Sequence, residues 1–305
     1  MRTFVSAIGS GLGDLLISLP VIQKLIESER EVYLLTRSHR QSGIGKRIKG
    51  LKGELPEKEF QAAKGDRYIN LRAHPLQTDH IWGSKEFESF FGPSNIEKII
   101  KAIAADEGIE IDYSQLEPLE HNLIPDLKNS IAFVPGSDGF YKHWPDERWL
   151  KLAQLLGKSY PELKIVLLGK ANESPSVQRL IALGFEWLKT KDLAAAIDAI
   201  SSCRAVVSVD TGLMHAAVQQ GIPTYTFIHP QNFHQRSAKH CFNFFARNCP
   251  ESCRRDFSLK DGFRAASELS VDLKFEDREC ILSANENCMG SITAESVFEK
   301  MKSTQ

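Results

Sequence analysis

The sequence predicts an α/β protein built from two doubly wound domains, each with a parallel sheet. Three observations carry this expectation. Short apolar runs alternate with stretches whose apolar residues recur at helical spacing. That alternation occurs twice, on either side of a segment at 114–129 rich in Pro, Leu and charge. Several apolar runs also end in a glycine-bearing loop that opens a helix. Strands alternating with helices call for parallel pairing and right-handed crossovers. A chain of 305 residues accommodates two domains of ordinary size, expected at 1–125 and 126–289. The halves share no convincing internal repeat.

Residues 3–8 form an apolar, β-rich run that ends in Gly9-Ser10-Gly11-Leu12-Gly13-Asp14. Leu15, Leu16, Leu19, Ile22, Leu25 and Ile26 then fall at helix spacing. Glu31–Thr36 reads as a second strand, Arg67–Leu71 as a third, and 95–109 as a helix. Past the linker, Ser130–Val134 is a strand followed by a loop through Pro135-Gly136-Ser137-Asp138-Gly139. A helix opens at Pro145 or Asp146 and runs to about Ser159. Leu163–Leu168 is a strand and Pro175–Leu183 a helix. Asp192 caps a helix through Ser202. Ala205–Val209 is a strand, Thr211–Gln220 a helix and Pro223–Ile228 a strand. Residues 241–290 read as irregular. In the last helix, Thr293–Lys302, Thr293 is the N-cap and Val297, Phe298 and Met301 form the apolar face.

Hydrophobic residues make up 42% of the chain and charged residues 25%, values of a globular protein that needs no staples to bury a core. The net charge of −1 provides no field to draw it to nucleic acid. One basic run, Lys46-Arg47-Ile48-Lys49-Gly50-Leu51-Lys52, reads as a solvated surface stretch, with contact to an anionic acceptor or membrane surface as the alternative. Met1–Gly9 is too short and too soon broken by glycine for a signal peptide, and no apolar stretch is long enough to span a bilayer. A cytoplasmic protein with mostly reduced cysteines is expected.

Ligands of open α/β sheets bind beyond the carboxyl ends of the strands, and three such ends carry unusual residues. The loop Gly9–Asp14 invites a dinucleotide reading, but its glycines fall as G-x-G-x-G, and Asp14 stands where G-x-G-x-x-G needs its last glycine. A carboxylate there would compete with a pyrophosphate for the helix start. What remains is an acid held by a glycine turn and aimed at a cleft, or merely a helix cap. The loop at 135–145 offers backbone amides, the Ser137 hydroxyl and the Lys142 charge, a common way to hold a diphosphate. It lacks the P-loop pattern, and Trp144 and Trp149 read as packing residues. In the third loop Asp210 ends a strand and Thr211 and Gly212 start a helix whose amides form an anion site. His215 lies one turn on, on the same face as Thr211.

Taken together, Gly11-Leu12-Gly13-Asp14 with Leu16, Leu19 and Pro20, Pro135-Gly136-Ser137 with Lys142-His143-Trp144-Pro145 and Trp149, and Asp210-Thr211-Gly212-Leu213-Met214-His215 resemble glycosyltransferase family 9, the heptosyltransferases. The resemblance is strong over 130–228 and thinner over 30–125. It implies a GT-B fold, two Rossmann-like doubly wound domains facing across a cleft, with the acceptor on the first and the donor on the second. It also implies that the helix at 290–305 crosses back onto the first domain. The activity implied is an inverting, metal-independent transfer of heptose from ADP-heptose to a saccharide or other cell-surface glycoconjugate, as in lipopolysaccharide biosynthesis. Such work would be done in the cytoplasm, at the inner face of the membrane, by peripheral contact.

By position, the resemblance makes Asp14 the catalytic base, with Gly11 and Gly13 in the loop near the acceptor. Donor binding falls to Ser137, Asp138, Lys142, Glu173, Asp210, Thr211, Gly212 and His215: Ser137 and Lys142 on the diphosphate, Asp210 on the sugar, Thr211, Gly212 and His215 on the phosphates, and Glu173 near the ribose. Asp138 departs from the family pattern, because a second carboxylate beside a diphosphate repels it unless it turns towards sugar or solvent.

Cys249, Cys253, Cys280 and Cys288 lack the spacing of common zinc pairs. They are either four thiols or the ligands of one structural zinc or iron ion, and the resemblance adds that some family members carry a cysteine-bound metal near the C-terminus. No cofactor is expected for catalysis. Fold alone does not decide chemistry, so two other functions fit this reading: a nucleotide-sugar epimerase or hydrolase, and a non-catalytic sugar-nucleotide-binding protein.

Overall fold

A computed structural model describes residues 2–29, 31–78, 95–137, 142–170, 174–229, 235–247 and 288–304. The first half holds β1 (Thr3–Ser6), α1 (Leu12–Ser28), β2 (Val32–Thr36), β3 (Gly53–Pro56), β4 (Arg67–Asn70), a single turn α2 (Pro75–Thr78) and α3 (Ile96–Asp106). Its sheet is wholly parallel, in the order β3-β2-β1-β4. The second half holds β5 (Ser130–Val134), α4 (Asp146–Ser159), β6 (Lys164–Leu167), α5 (Pro175–Ala182), β7 (Glu186–Trp187), α6 (Leu193–Ser202), β8 (Ala205–Val209), α7 (Gly212–Gln219), β9 (Thr224–Ile228) and β10 (Cys241–Phe245). The chain closes with α8 (Ala294–Ser303).

The six strands of the second sheet are also parallel, in the order β10-β9-β8-β5-β6-β7. Read from its first strand, the chain lays down three strands outward on one side, then returns to the middle and lays three on the other. The two directions part between β5 and β8, and a doubly wound sheet binds its ligand at the carboxyl end of that switch. In the first sheet the corresponding switch lies between β1 and β4.

The predicted strands and helices form within one to three residues of their expected bounds. Strand β5 reads as an unbroken apolar run because both its faces are covered, and all five of its residues are buried. Asn95, Ser174, Asp192 and Thr293 cap their helices through side-chain oxygens. Strands β3, β7 and β10 escaped the sequence reading. The first two are short, edge-lying and only partly buried, so they lack the apolar signature. The third lies in the stretch read as irregular.

Two apolar clusters organise the molecule. One runs from Val5, Leu16, Ile22 and Ile100 of the first half into Val134, Val166, Ile197 and Ala216 of the second, so the halves share a continuous core. The other covers the opposite face of the second sheet with Phe133, Trp144, Trp149 and Phe227, and α8 inserts Val297, Phe298 and Met301 into it. This corrects the expectation that the last helix returns to the first domain: α8 lies on α4. The Trp144 indole donates to the Ile292 carbonyl at 2.8 Å, and the Tyr225 and Thr304 hydroxyls meet at 2.5 Å. The helix stays where it stays because its apolar face completes the second half's outer layer.

The linker is pinned rather than loose. Gln220 both donates to and accepts from the Leu119 backbone, and Gln23 and Gln219 both donate to the Glu117 carbonyl. Arg47, from the basic run, reaches across to Asp198 at 2.9 Å and to the Glu120 carbonyl. That arginine is a tie between halves, not a solvated surface charge. Among the described residues no helix is long and apolar enough to cross a membrane.

Candidate functional site

The loop after β1 turns through Gly9 and Gly11 and starts α1 at Leu12. Asp14 occupies the third helical position, and its carboxylate accepts the Gly11 amide at 2.8 Å, so it does cap the helix. The glycines are needed here because a Cβ on Gly9 would run into that carboxylate. Fully buried Gln41 braces the turn by donating to the Gly9 and Gly11 carbonyls at 2.9 and 3.1 Å, while its own oxygen accepts the Arg37 amide. Ser18 ties the loop from within, accepting from Ile8 and donating to the Asp14 carbonyl. Neither Gln41 nor Ser18 was singled out from sequence, since nothing local marks a lone glutamine or serine as a brace.

Beyond this loop the carboxyl end of the first sheet is polar. Glu57, just past β3, accepts from Ser6 and Tyr68 at 2.7 Å each and pairs with Arg37 at 2.9 Å. Arg37 also donates to Asn70 at 2.5 Å. Burial pushes the Arg37 guanidinium pKa down, opposed by the charges of Glu57 and Asp14, with Arg72 adding to the fall. These residues were also unremarked in the sequence.

At the second switch the predicted residues converge. Lys142 pairs with Asp210 at 2.5 Å, the Ser137 hydroxyl donates to the Asp210 carbonyl at 3.0 Å, and His215 Nε2 lies 3.2 Å from the other Asp210 oxygen. His143 holds the loop from behind, its ring nitrogens at 3.0 Å from the Ser137 carbonyl and the Ser176 hydroxyl. Burial lowers the His143 pKa, as it does that of His229, which falls to about 4. Gly136 is obligatory for close approach, because a Cβ there would sit 2.6 Å from the Ser174 hydroxyl. Thr211 is the N-cap of α7, and its side chain makes no cap hydrogen bond.

Asp210 and His215 are deeply buried. They are 2% and 1% exposed, and their polar groups face Lys142, each other and Arg236. Both are buried within the polar cluster that holds Lys142. Asp138 and Glu173 lie outside the described residues. So do Cys249, Cys253 and Cys280, while Cys288 is a buried thiol. Among the described residues no three His, Cys, Asp or Glu side chains are grouped to hold a metal ion.

The two switch points meet. A Cβ on Gly13 would fall 2.6 Å from the His215 ring, and one on Gly212 would fall 2.8 Å from Leu12. The starts of α1 and α7 therefore abut, with glycine on each side of the contact. Asp14 directly follows Gly13, the residue that lies against the His215 ring.

Residues 104–240 match the sequence model of glycosyltransferase family 9 (heptosyltransferase). Over this segment the chain is similar to that family. Lipopolysaccharide heptosyltransferase 1 of Escherichia coli (strain K12) is 32% identical over 122 residues, 39% of this chain and 38% of the relative. The curated relatives are thus matched over well under half of their length. Structural likeness extends further. The E. coli heptosyltransferase WaaC with ADP superposes with a TM-score of 0.66 over the whole of both chains at 17% identity. A glycosyltransferase family 9 protein from Veillonella parvula gives 0.66, at 16% identity, over 99% of this chain and 96% of that one. The fold is GT-B, as the family resemblance implied.

Proposed function

We propose that this protein is an inverting, metal-independent glycosyltransferase that moves heptose from ADP-heptose to a saccharide or glycoconjugate acceptor, as in lipopolysaccharide biosynthesis. The observation that carries the reading is the contact of Gly13 with His215, which brings Asp14 to the edge of the Asp210–Lys142 site. The family match over 104–240 and the relatives' names supply the sugar and nucleotide class.

In this reading the donor diphosphate lies on Lys142 and the amides that open α7, with Ser137 and Thr211 hydroxyls beside it. The acceptor lies against the polar carboxyl end of the first sheet. An acceptor hydroxyl attacks the anomeric carbon opposite the diphosphate, Asp14 takes its proton, and the carbon–oxygen bond to phosphate breaks. Proton removal by a placed base is worth about 10²–10⁴-fold. The growing phosphate charge is met by a fixed ammonium and by backbone N–H groups at a helix start. Asp210 and His215 hold the lysine in place. An acceptor anchored in lipid would bring the enzyme to the inner face of the membrane.

The test is Asp14→Asn, which preserves shape and the capping oxygen. Turnover of ADP-heptose with acceptor is expected to fall about 10²–10⁴-fold, with ADP affinity by calorimetry unchanged. Native turnover in that variant, or conversion of ADP-heptose without any acceptor, would sink the transferase reading. The anomeric configuration of the product, read by NMR, reports inversion directly.

A further inference from the structure

We propose that Arg236 and Glu97 are positioning residues that reach across the two halves and fix the His215 tautomer, and through it the Asp210–Lys142 pair. The inference rests on the donor reading above for its functional consequence, but not for its structural claim.

Arg236 lies in the stretch between β9 and β10, and Glu97 in the first turn of α3, 139 residues away in the other half. Their side chains are 0% and 4% exposed, and Arg236 Nε donates to Glu97 Oε1 at 2.6 Å. The second Glu97 oxygen accepts the Ser237 amide at 3.0 Å and the Ser237 hydroxyl. The guanidinium also lies 5.8 Å from the centre of the Tyr113 ring, whose hydroxyl donates to the Ile17 carbonyl of α1. Arg236 Nη2 makes no hydrogen bond among the described residues. Taking two such charges out of water is costly, and apolar replacements often serve stability as well or better. The pair therefore calls for another reason to exist.

That reason is the group on its far side. Arg236 Nη1 faces His215 Nδ1 at 3.4 Å. A guanidinium has only N–H groups to offer and does not lose its proton in a protein. His215 Nδ1 must accept, which leaves the ring proton on Nε2, where it donates to Asp210 Oδ1 at 3.2 Å. Asp210 Oδ2 then holds Lys142. An unbroken line of polar contacts thus runs from the start of α3 in the first half to the lysine of the second. With the opposite tautomer, His215 would turn a lone pair towards the Asp210 carboxylate, and the pair would loosen.

The first measurement needs no ligand. Long-range ¹H–¹⁵N correlation spectra of the native chain, with the His215 ring assigned by its loss in His215→Gln, should show the proton on Nε2. Arg236→Met should lose that signature. A misplacement of this kind typically costs up to about 10²-fold, so ADP affinity by calorimetry should fall about 10-fold to 100-fold in Arg236→Met. It should fall by less in Glu97→Gln, which keeps the arginine. With ADP-heptose and acceptor, the loss should fall on the donor KM more than on kcat. The proposal is overturned if the native ring carries its proton on Nδ1. It is also overturned if folded Arg236→Met or Glu97→Gln keeps both the native tautomer and native ADP affinity. Should the native chain neither bind ADP nor turn over ADP-heptose, the donor reading fails, while the ring spectra still decide the positioning claim.

Discussion

The two sheets present comparable loops at their switch points, but the loops are held in different ways. The turn ahead of Asp14 is shaped from a distance: Gln41 reaches back 32 positions to Gly9, and Arg37 is fixed by Glu57 and Asn70 at the ends of two other strands. The site around Lys142 is built from two short stretches of sequence, one holding Ser137 and His143 and the other the run Asp210–His215. A contiguous motif can be matched between relatives, whereas a brace assembled from scattered residues can be rebuilt many ways. The family match accordingly covers 104–240 and leaves the first strand–turn–helix outside it. In this reading the donor end is the shared part and the acceptor end the variable one.

The largest test of that division sets Lys142→Met against the Asp14→Asn variant. Both should cut turnover, Lys142→Met by about 10²–10³-fold. Only the lysine change should also weaken ADP binding, because it removes the cation beside the proposed diphosphate and the ammonium paired with buried Asp210. Calorimetry with ADP separates the two. Equal ADP affinity in both variants would mean that the halves do not divide acceptor from donor as argued.

A smaller effect tests the seam itself. Gly13→Ala places a methyl 2.6 Å from the His215 ring, and that ring is buried and held by Asp210 on one side and Arg236 on the other. It cannot yield cheaply, and overpacking of this kind costs about 1–3 kcal/mol. Gly157→Ala is the control. It lies in α4 with nothing within 4 Å of its would-be Cβ, and should stabilise by about 0.5–1 kcal/mol. Urea midpoints that move in the same direction for both would show that α1 and α7 are not locked together by glycine.

What could be read from sequence follows the same division. Ser130–Val134 and Ala205–Val209 are buried throughout and apolar but for one serine each, and their loops announce Ser137, Lys142 and Asp210. Residues 241–244 alternate Phe with Cys and Asn, a strand signal too short to stand out beside the cysteine-bearing tail. Glu97 looks like an ordinary acid in a first helical turn, and Arg236 sits in no motif. Their pairing exists only once the halves are folded together, so no local pattern could reveal it. Burial of Asp210 and His215 was likewise invisible, since motif spacing says which residues converge but not how deeply.

The smallest prediction concerns pH and sharpens the contrast from the second half's side. His229, just past β9, is 1% exposed, and burial together with the nearby Lys142 charge lowers its pKa from 6.5 to about 4. In the unfolded chain it protonates near 6.5, while in the native state it stays neutral until about 4. Between those values the unfolded state binds the extra proton, so stability falls as pH drops, by about 1.4 kcal/mol per pH unit for this one group. Burial displaces His143 in the same direction, adding to the slope. Urea unfolding at pH 7, 6 and 5 should show the native chain losing stability faster than His229→Asn, with the gap between them shifting steadily through that window. Parallel losses in the two proteins would mean that His229 does not share the buried surroundings of Lys142. The second site would then owe its acid sensitivity to its carboxylates, as any ordinary surface would.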